Sequence, residues 1–209
     1  MVRVLRRDAF HAGSQHADVK ECTNTPGFLH SVSTAWRSPK IKRPRSTVEP
    51  FLLAVLEELA DDNPGVEYAV GGSWRRGCES IGDIDILVLH DGPLAPNLFE
   101  PGIVLPSLVT WQRSGPRIAN GDLRLPDTTA LHVDLWCQPP ASRAAALLFV
   151  TGSQLTNVRM RGRARGMGLA LSQDKLSYRS TGEQVPGTEQ DEESIFDALR
   201  LPYLHPHQR

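Results

Sequence analysis

The sequence predicts an α+β fold of one or two lobes. Three short segments, rich in branched apolar side chains and bounded by turn residues, indicate strands at 66–70, 84–89 and 131–137. Four further segments are predicted to be helical, at 48–60, 141–150, 154–165 and 195–199. With 209 residues the chain can bury one good core or two small ones.

The first predicted helix has an apolar face and a clear end. Polar and turn-forming residues at 61–65 stop it, and the strand that follows ends at Gly71 and Gly72. Its predicted buried side chains are Phe51, Val55, Leu56 and Leu59. Residues 1–39 lack hydrophobic periodicity and are predicted to be an irregular extension. Prolines mark loops around a later segment that no pattern assigns, at Pro93, Pro96, Pro101 and Pro106.

Composition is that of an intracellular, soluble protein. Apolar residues make up 40% of the chain and charged residues 22%. No apolar run approaches the roughly 20 residues that a membrane helix needs, and the N-terminus lacks the apolar core of a secretory signal. Cys22, Cys78 and Cys137 stand far apart, without zinc-site spacing, which favours a reducing compartment. We therefore expect neither secretion nor a membrane partner.

Charge is unevenly distributed. The net charge is −1, which is unusual for a nucleic-acid enzyme, because phosphate binding depends on Lys and Arg. Basic residues nevertheless cluster at 40–45 and 159–165, while acidic residues concentrate at 183–197. Each basic cluster is either a phosphate-binding surface or a solvated face.

The block GGSWRRGCESIGDIDILV carries the chemistry. Because successive side chains of a strand alternate between faces, Asp83 and Asp85 point the same way, about 6.6 Å apart at Cα. In the next strand Asp134 lies on the face opposite the apolar residues, together with His132 and Trp136. If the two strands are neighbours, three carboxylates converge and require cations. Oxygen ligands without a Cys or His set favour two Mg²⁺ ions, with Mn²⁺ as a substitute.

A nucleotide pocket is predicted beside these carboxylates. Gly72 permits close backbone approach, Ser73 supplies a hydroxyl, and Arg76 lies one turn later to pair with phosphate oxygens. Gly82 can present its backbone N–H to the same oxygens. Arg75 falls on a different face and is expected to be structural or solvated. Alone, a D-x-D or a Gly-Gly-Ser is more often a polar edge or a turn, so the prediction depends on their combination.

These motifs resemble the signature of family X DNA polymerases, the group of the beta, lambda and mu polymerases. The shared pattern is a Gly-Ser, an Arg-Arg-Gly and then Gly-Asp-x-Asp over residues 72–88. The likeness continues through His132 to Leu135, through FVTGSQLTNVRMR and to the closing IFDALRLPYLHPHQR. The resemblance implies a nucleotidyltransferase palm at 40–139, with a mixed sheet and flanking helices, and a smaller C-terminal α/β nucleotide-selecting lobe at 140–209.

The resemblance also implies roles for single residues. Asp83, Asp85 and Asp134 would be the catalytic metal ligands. Nucleotide contacts are implied for Lys42, Phe149, Gly152 and Asn157, with Thr151 and Ser153 in the same turn, and DNA contacts for Arg159 and Arg161. A solvated charge remains the alternative for Lys42, and a polar helix surface for Asn157. Phe149 and Val150 replace the aromatic pair usual in the family, which leaves sugar discrimination open.

The implied function is a DNA polymerase that adds dNMP to a primer 3′-hydroxyl, in short-gap filling during DNA repair such as base excision repair. Expected partners are gapped or primer-template DNA and deoxynucleoside triphosphates, with the protein a monomer and nuclear if eukaryotic. No lysine-rich lyase domain is found upstream, so a minimal form is expected. Two alternatives stay open: a template-independent or non-DNA nucleotidyltransferase, and a non-catalytic DNA-binding remnant.

Overall fold

The computed structural model describes residues 41–95 and 102–209, so the predicted extension at 1–39 lies outside the described residues. The helices are α1 (Arg45–Asp62), α2 (Gly72–Arg75), α3 (Arg143–Thr151), α4 (Gln154–Gly166) and α5 (Glu192–Ala198), with 3₁₀ turns at Pro140–Ser142 and Pro206–Gln208. The strands are β1 (Arg43–Pro44), β2 (Glu67–Val70), β3 (Ser80–Ile81), β4 (Asp83–Leu89), β5 (Leu94–Ala95), β6 (Ile103–Val104), β7 (Val109–Ser114), β8 (Ile118–Arg124), β9 (Ala130–Gln138), β10 (Leu169–Leu171) and β11 (Leu176–Tyr178).

A five-stranded mixed sheet forms the first lobe, in the order β2-β4-β9-β8-β7. β4 and β9 run parallel, whereas every other neighbouring pair in this sheet is antiparallel. The three predicted strands are β2, β4 and β9, and they are adjacent. The α+β prediction is therefore confirmed, and the parallel pair lies at the centre of the sheet.

The main core lies between α1 and one face of this sheet. Ile84, Ile86 and Val88 of β4 are buried there, as their alternation predicted. The predicted helix face was partly wrong. Its fully buried positions are Val48, Leu52, Val55 and Leu59, while Phe51 and Leu56 pack at its margins. The helix begins three residues earlier than predicted, and the i, i+3, i+4 spacing from Val48 places Leu52 at the centre of the stripe.

The segment that the sequence left unassigned folds as the β7–β8 hairpin, which extends the sheet beyond β9. A second lobe follows β9. It packs α3, α4, α5 and the small β10–β11 hairpin around a core that includes Leu148, Met160, Leu176 and Phe196. The three helices predicted after residue 140 are confirmed, although α5 begins at Glu192 rather than at residue 195.

One face of β4 serves both lobes. Its first two outward positions are Asp83 and Asp85, but the next two, Leu87 and Leu89, are buried against Ala146 and Val150 of α3. The second lobe therefore covers the far half of the face whose near half carries the aspartates. Val150, near the end of α3, also lies against Gly71, whose neighbour Gly72 approaches the carboxylate of Asp85. No helix formed by the described residues is long and apolar enough to cross a membrane.

Candidate active site

The three predicted aspartates come together in the structure. Asp85 of β4 is the direct register partner of Asp134 in the parallel strand β9, and Asp83 precedes Asp85 by one pleat on the same face. One carboxylate oxygen from each residue lies within 4.8 Å of the other two. Asp134 is the most buried of the three, at 8% exposure.

Three carboxylates this close repel one another strongly. Two unit charges 4 Å apart cost about 4 kcal/mol at an effective dielectric of 20, and a bound cation offsets that cost. This donor set contains only carboxylate oxygens, which suits hard ions such as Mg²⁺ or Mn²⁺ better than zinc. The geometry thus fits divalent metal ions, and the assignment of individual ligands stays a prediction.

The backbone before α2 passes very close to one of the carboxylates. Gly72 has a φ of +55°, and a Cβ added there would lie 2.1 Å from Oδ2 of Asp85. The preceding N–H, that of Gly71, donates to the carbonyl oxygen of Asp85 at 2.8 Å. Only glycine fits at position 72, because both the backbone angle and the space exclude a side chain.

The hydroxyl of Ser73 is buried, and its Oγ has no hydrogen-bond partner among the described residues. Buried hydroxyls are normally hydrogen-bonded, so this one indicates a position for a ligand acceptor. Gly82 lies immediately before Asp83, between β3 and β4. Lys42 is exposed just ahead of β1, which pairs with β3. The roles of Ser73, Gly82 and Lys42 in phosphate binding stay predictions.

The two consecutive arginines after Ser73 have different partners. Arg75 makes a bidentate ion pair with the buried Glu192 of α5, at 2.6 and 3.0 Å, and also donates to Oγ1 of Thr151. Arg76 donates to the carbonyl oxygen of Thr151. Arg75 is therefore structural, as expected, whereas Arg76 lies at the junction of the lobes beside the predicted phosphate site.

The turn after α3 brings the second lobe to the site. Thr151 is fully buried, and Gly152 has a φ of +66° and precedes a cis peptide bond to Ser153. Oγ of Ser153 then caps α4 by accepting from the N–H of Thr156. Further along this helix, Nδ2 of Asn157 donates to the carbonyl oxygen of Phe149 at 2.8 Å.

Phe149 is held by side chains from both lobes. Its ring meets Trp136 of β9 edge-on, with centroids 5.2 Å apart, and the guanidinium of Arg161 lies 5.1 Å from its centroid. Phe149, Asn157 and Arg161 line a small cleft at this point. Arg159 is exposed on α4. Phe149 and Asn157 are thus in contact, and Arg159 and Arg161 are exposed residues of the same helix.

Sequence reasoning placed His132 on the same face as Asp134 but missed the polar side chains of β8 that lie around it. Nδ2 of Asn120, on β8, donates to Oδ1 of Asp134 at 2.6 Å. His132 lies between two carboxylates, with Nε2 3.2 Å from Oδ1 of Asp134 and Nδ1 3.2 Å from Oδ1 of Asp122. Asn120, Asp122 and Arg124 alternate with less polar residues, and this pattern could have indicated a strand with a polar face. The sequence left that segment unassigned.

Comparison with known proteins gives a consistent result over both lobes. Residues 42–104 match the family model described as DNA polymerase beta palm, and residues 146–209 match the one described as DNA polymerase beta thumb. DNA polymerase lambda of Rattus norvegicus is 34% identical over 167 residues, which cover 70% of this chain and 29% of that protein. DNA polymerase lambda of Arabidopsis thaliana is 28% identical over an alignment of 228 residues, covering 93% of this chain and 42% of the relative. The chain spans less than half the length of either relative.

Proposed function

Because this chain belongs to family X of the DNA polymerases, we propose that it adds a deoxynucleoside monophosphate to a primer 3′-hydroxyl by two-metal catalysis. The observation that carries the proposal is the convergence of Asp83, Asp85 and Asp134 within 4.8 Å, next to a glycine turn and a buried hydroxyl. Short-gap filling in DNA repair is the biological role that we propose for this activity.

In the proposed reaction the primer oxygen attacks the α-phosphorus of the incoming nucleotide. That oxygen loses its proton as the new bond forms, and the bond from the α-phosphorus to the bridging oxygen of pyrophosphate breaks. Asp83 and Asp85 would hold both metal ions, and Asp134 would hold the one on the primer side and accept the proton at a carboxylate oxygen. When bound, two Mg²⁺ ions would lower the pKa of the primer 3′-hydroxyl and neutralise the charge of the leaving pyrophosphate.

The first lobe would bind the triphosphate. Oγ of Ser73 can donate to a phosphate oxygen, and the backbone at Gly72 and Gly82 allows close approach. Arg76 and Lys42 would add positive charge, so that the phosphates are held by charge-assisted hydrogen bonds.

The second lobe would bind the base, the sugar and the DNA. Phe149, Gly152 and Asn157 would contact the incoming nucleotide, because they lie around the turn that follows α3. Arg159 and Arg161 are exposed and would contact phosphates of gapped or primer-template DNA. We further propose that the palm comprises residues 40–139, that the nucleotide-selecting lobe comprises residues 140–209, and that the protein works as a monomer in the nucleus.

The direct test is single-nucleotide extension of labelled primers on gapped, nicked and single-stranded DNA, with each dNTP separately and with Mg²⁺ or Mn²⁺. We expect incorporation of the templated nucleotide, fastest on the short gap. Extension without a template would favour a terminal transferase. Binding of gapped DNA with no incorporation in either metal would favour the non-catalytic alternative and contradict the proposal.

Ser73→Ala tests the phosphate contact. A hydrogen bond to a charged group contributes about 1.5–3 kcal/mol, so kcat/KM for the dNTP should fall about 10- to 100-fold. Steady-state kinetics on a one-nucleotide gap measure the effect. Ser80→Ala, an exposed serine on β3, is the matched control and should change kcat/KM less than about twofold. Equal values of kcat/KM for the two variants would mean that Ser73 does not contact the triphosphate.

A further inference from the structure

Asn120 has no part in the motifs described above, yet it directly contacts a carboxylate of the proposed metal site. It lies on β8, opposite Asp134 in the antiparallel register with β9. Its amide Nδ2 donates to Oδ1 of Asp134 at 2.6 Å. The contact links the β7–β8 hairpin to the centre of the proposed metal site.

The same oxygen of Asp134 has a second neighbour. Nε2 of His132 lies 3.2 Å from it, and Nδ1 of that ring lies 3.2 Å from Oδ1 of Asp122, two residues beyond Asn120 on β8. The oxygen is therefore approached from β8 by Asn120 and from its own strand by His132. Asp134 is 8% exposed, so little water competes for these contacts.

A short carboxylate side chain that lies beside two others needs such a restraint. The terminal torsion of an aspartate is broad, so its oxygens can turn with little cost. Repulsion from Asp83 and Asp85 favours rotations that carry the third carboxylate away from the other two. An amide donor that faces the carboxylate from the neighbouring strand opposes that rotation, and a hydrogen bond to a charged acceptor is stronger than a neutral one.

We propose that Asn120 is a positioning residue that fixes the Asp134 carboxylate in the orientation required to bind the primer-side metal ion and to receive the proton. The inference rests on the proposed function, because it assigns a task to Asp134. Asn120 would act through Asp134 and not by contact with substrate or metal. Groups that orient metal ligands typically contribute 10- to 100-fold to metal affinity or activity.

A merely structural role for Asn120 predicts a different result. If the amide only satisfied a buried polar group, its removal would lower the free energy of unfolding and leave the turnover of folded molecules unchanged. A positioning role predicts a lower rate at saturating dNTP, because the nucleotide still binds through Ser73 and the second lobe. It also predicts weaker metal binding, which can be measured without turnover.

The experiment compares wild type with Asn120→Leu, which has a similar shape and no donor, and with Asn120→Asp, which can accept but not donate when ionised. Single-turnover extension of gapped DNA gives the maximal rate and the apparent dNTP affinity. Titration of Mn²⁺ into protein bound to gapped DNA with a dideoxy-terminated primer and a dNTP, followed by electron paramagnetic resonance of the free ion, gives metal affinity.

We expect the maximal rate of Asn120→Leu to fall about 10- to 100-fold, with dNTP affinity changed less than about threefold and Mn²⁺ binding weakened about tenfold. Asn120→Asp should lose at least as much, because it places another carboxylate against Asp134. Gln112→Leu is the matched control. It removes an exposed amide that contacts Asp122 rather than Asp134, and should stay within about twofold of wild type.

The outcomes separate this inference from the proposed function. Wild-type rates and Mn²⁺ binding in both Asn120 variants, with Asp134→Ala inactive, would overturn the positioning role and leave the polymerase assignment standing. Absence of incorporation by the wild type in both metals would instead overturn the assignment itself. Equal losses in Asn120→Leu and Gln112→Leu would also contradict the role, because the effect would then not depend on contact with Asp134.

Discussion

Asp134→Ala is expected to abolish nucleotide incorporation while the protein remains folded. The substitution removes the carboxylate that we propose completes the metal cluster and receives the proton, and metal-assisted charge stabilisation contributes several kcal/mol. A loss of about 4 kcal/mol corresponds to about a thousandfold in rate. Single-turnover extension of a one-nucleotide gap at saturating dNTP and Mg²⁺ measures this loss of rate.

A matched carboxylate at the far end of β4 provides the control. Asp91 is exposed just after that strand, and Asp91→Ala removes the same chemical group away from the cluster, so wild-type rates are expected. Thermal unfolding adds a second comparison. Divalent ions should raise the thermal unfolding midpoint of wild type and of Asp91→Ala. The rise should be much smaller for Asp134→Ala, because ligands stabilise only a state that binds them. Retained turnover in Asp134→Ala would mean that the third ligand is misassigned.

Glu192→Gln is expected to lower the free energy of unfolding by about 3 kcal/mol, because it breaks a buried ion-pair network. Glu192 is 5% exposed and receives hydrogen bonds from two arginines, Arg75 of α2 and Arg209, whose side chain is fully buried. Glutamine keeps the shape but leaves both guanidinium groups without their counter-charge. Urea unfolding at neutral pH measures the change.

Glu193→Gln is the control, since this neighbouring residue is exposed and the substitution is the same. It should change the free energy of unfolding by less than about 0.5 kcal/mol. The network ties α5 to the helix that follows the Gly72 turn, so Glu192→Gln should also weaken dNTP binding. If the two substitutions changed the free energy of unfolding equally, the ion pairs of Glu192 would not stabilise the contact between the lobes.

The central strands were predictable because their side chains follow a strict period. Isoleucines 84 and 86 alternate with Asp83 and Asp85, and that alternation alone determines which groups share a face. The β7–β8 hairpin was not predictable in the same way. Asn120-Gly121 is typical of a turn, yet it lies within β8, where Gly121 allows the backbone of Thr110 to approach.

The site was predictable where its residues are close in sequence. The Gly72 to Asp85 block contains the turn, the hydroxyl and two carboxylates, so local geometry brings them together. Contacts such as that between Arg75 and Glu192 join positions 117 residues apart, and a single sequence gives no distance between them. Asn120 was missed for a related reason, because its contact with Asp134 depends on the order of strands in the sheet.

Diffraction at the manganese absorption edge tests the central claim most directly. The crystal would contain the protein with gapped DNA, a dideoxy-terminated primer, a dNTP and Mn²⁺. We predict two anomalous peaks between the triphosphate and the carboxylates of Asp83 and Asp85, one of them also in contact with Asp134. Peaks at other residues, or a carboxylate of Asp134 turned away from both ions, would contradict the account.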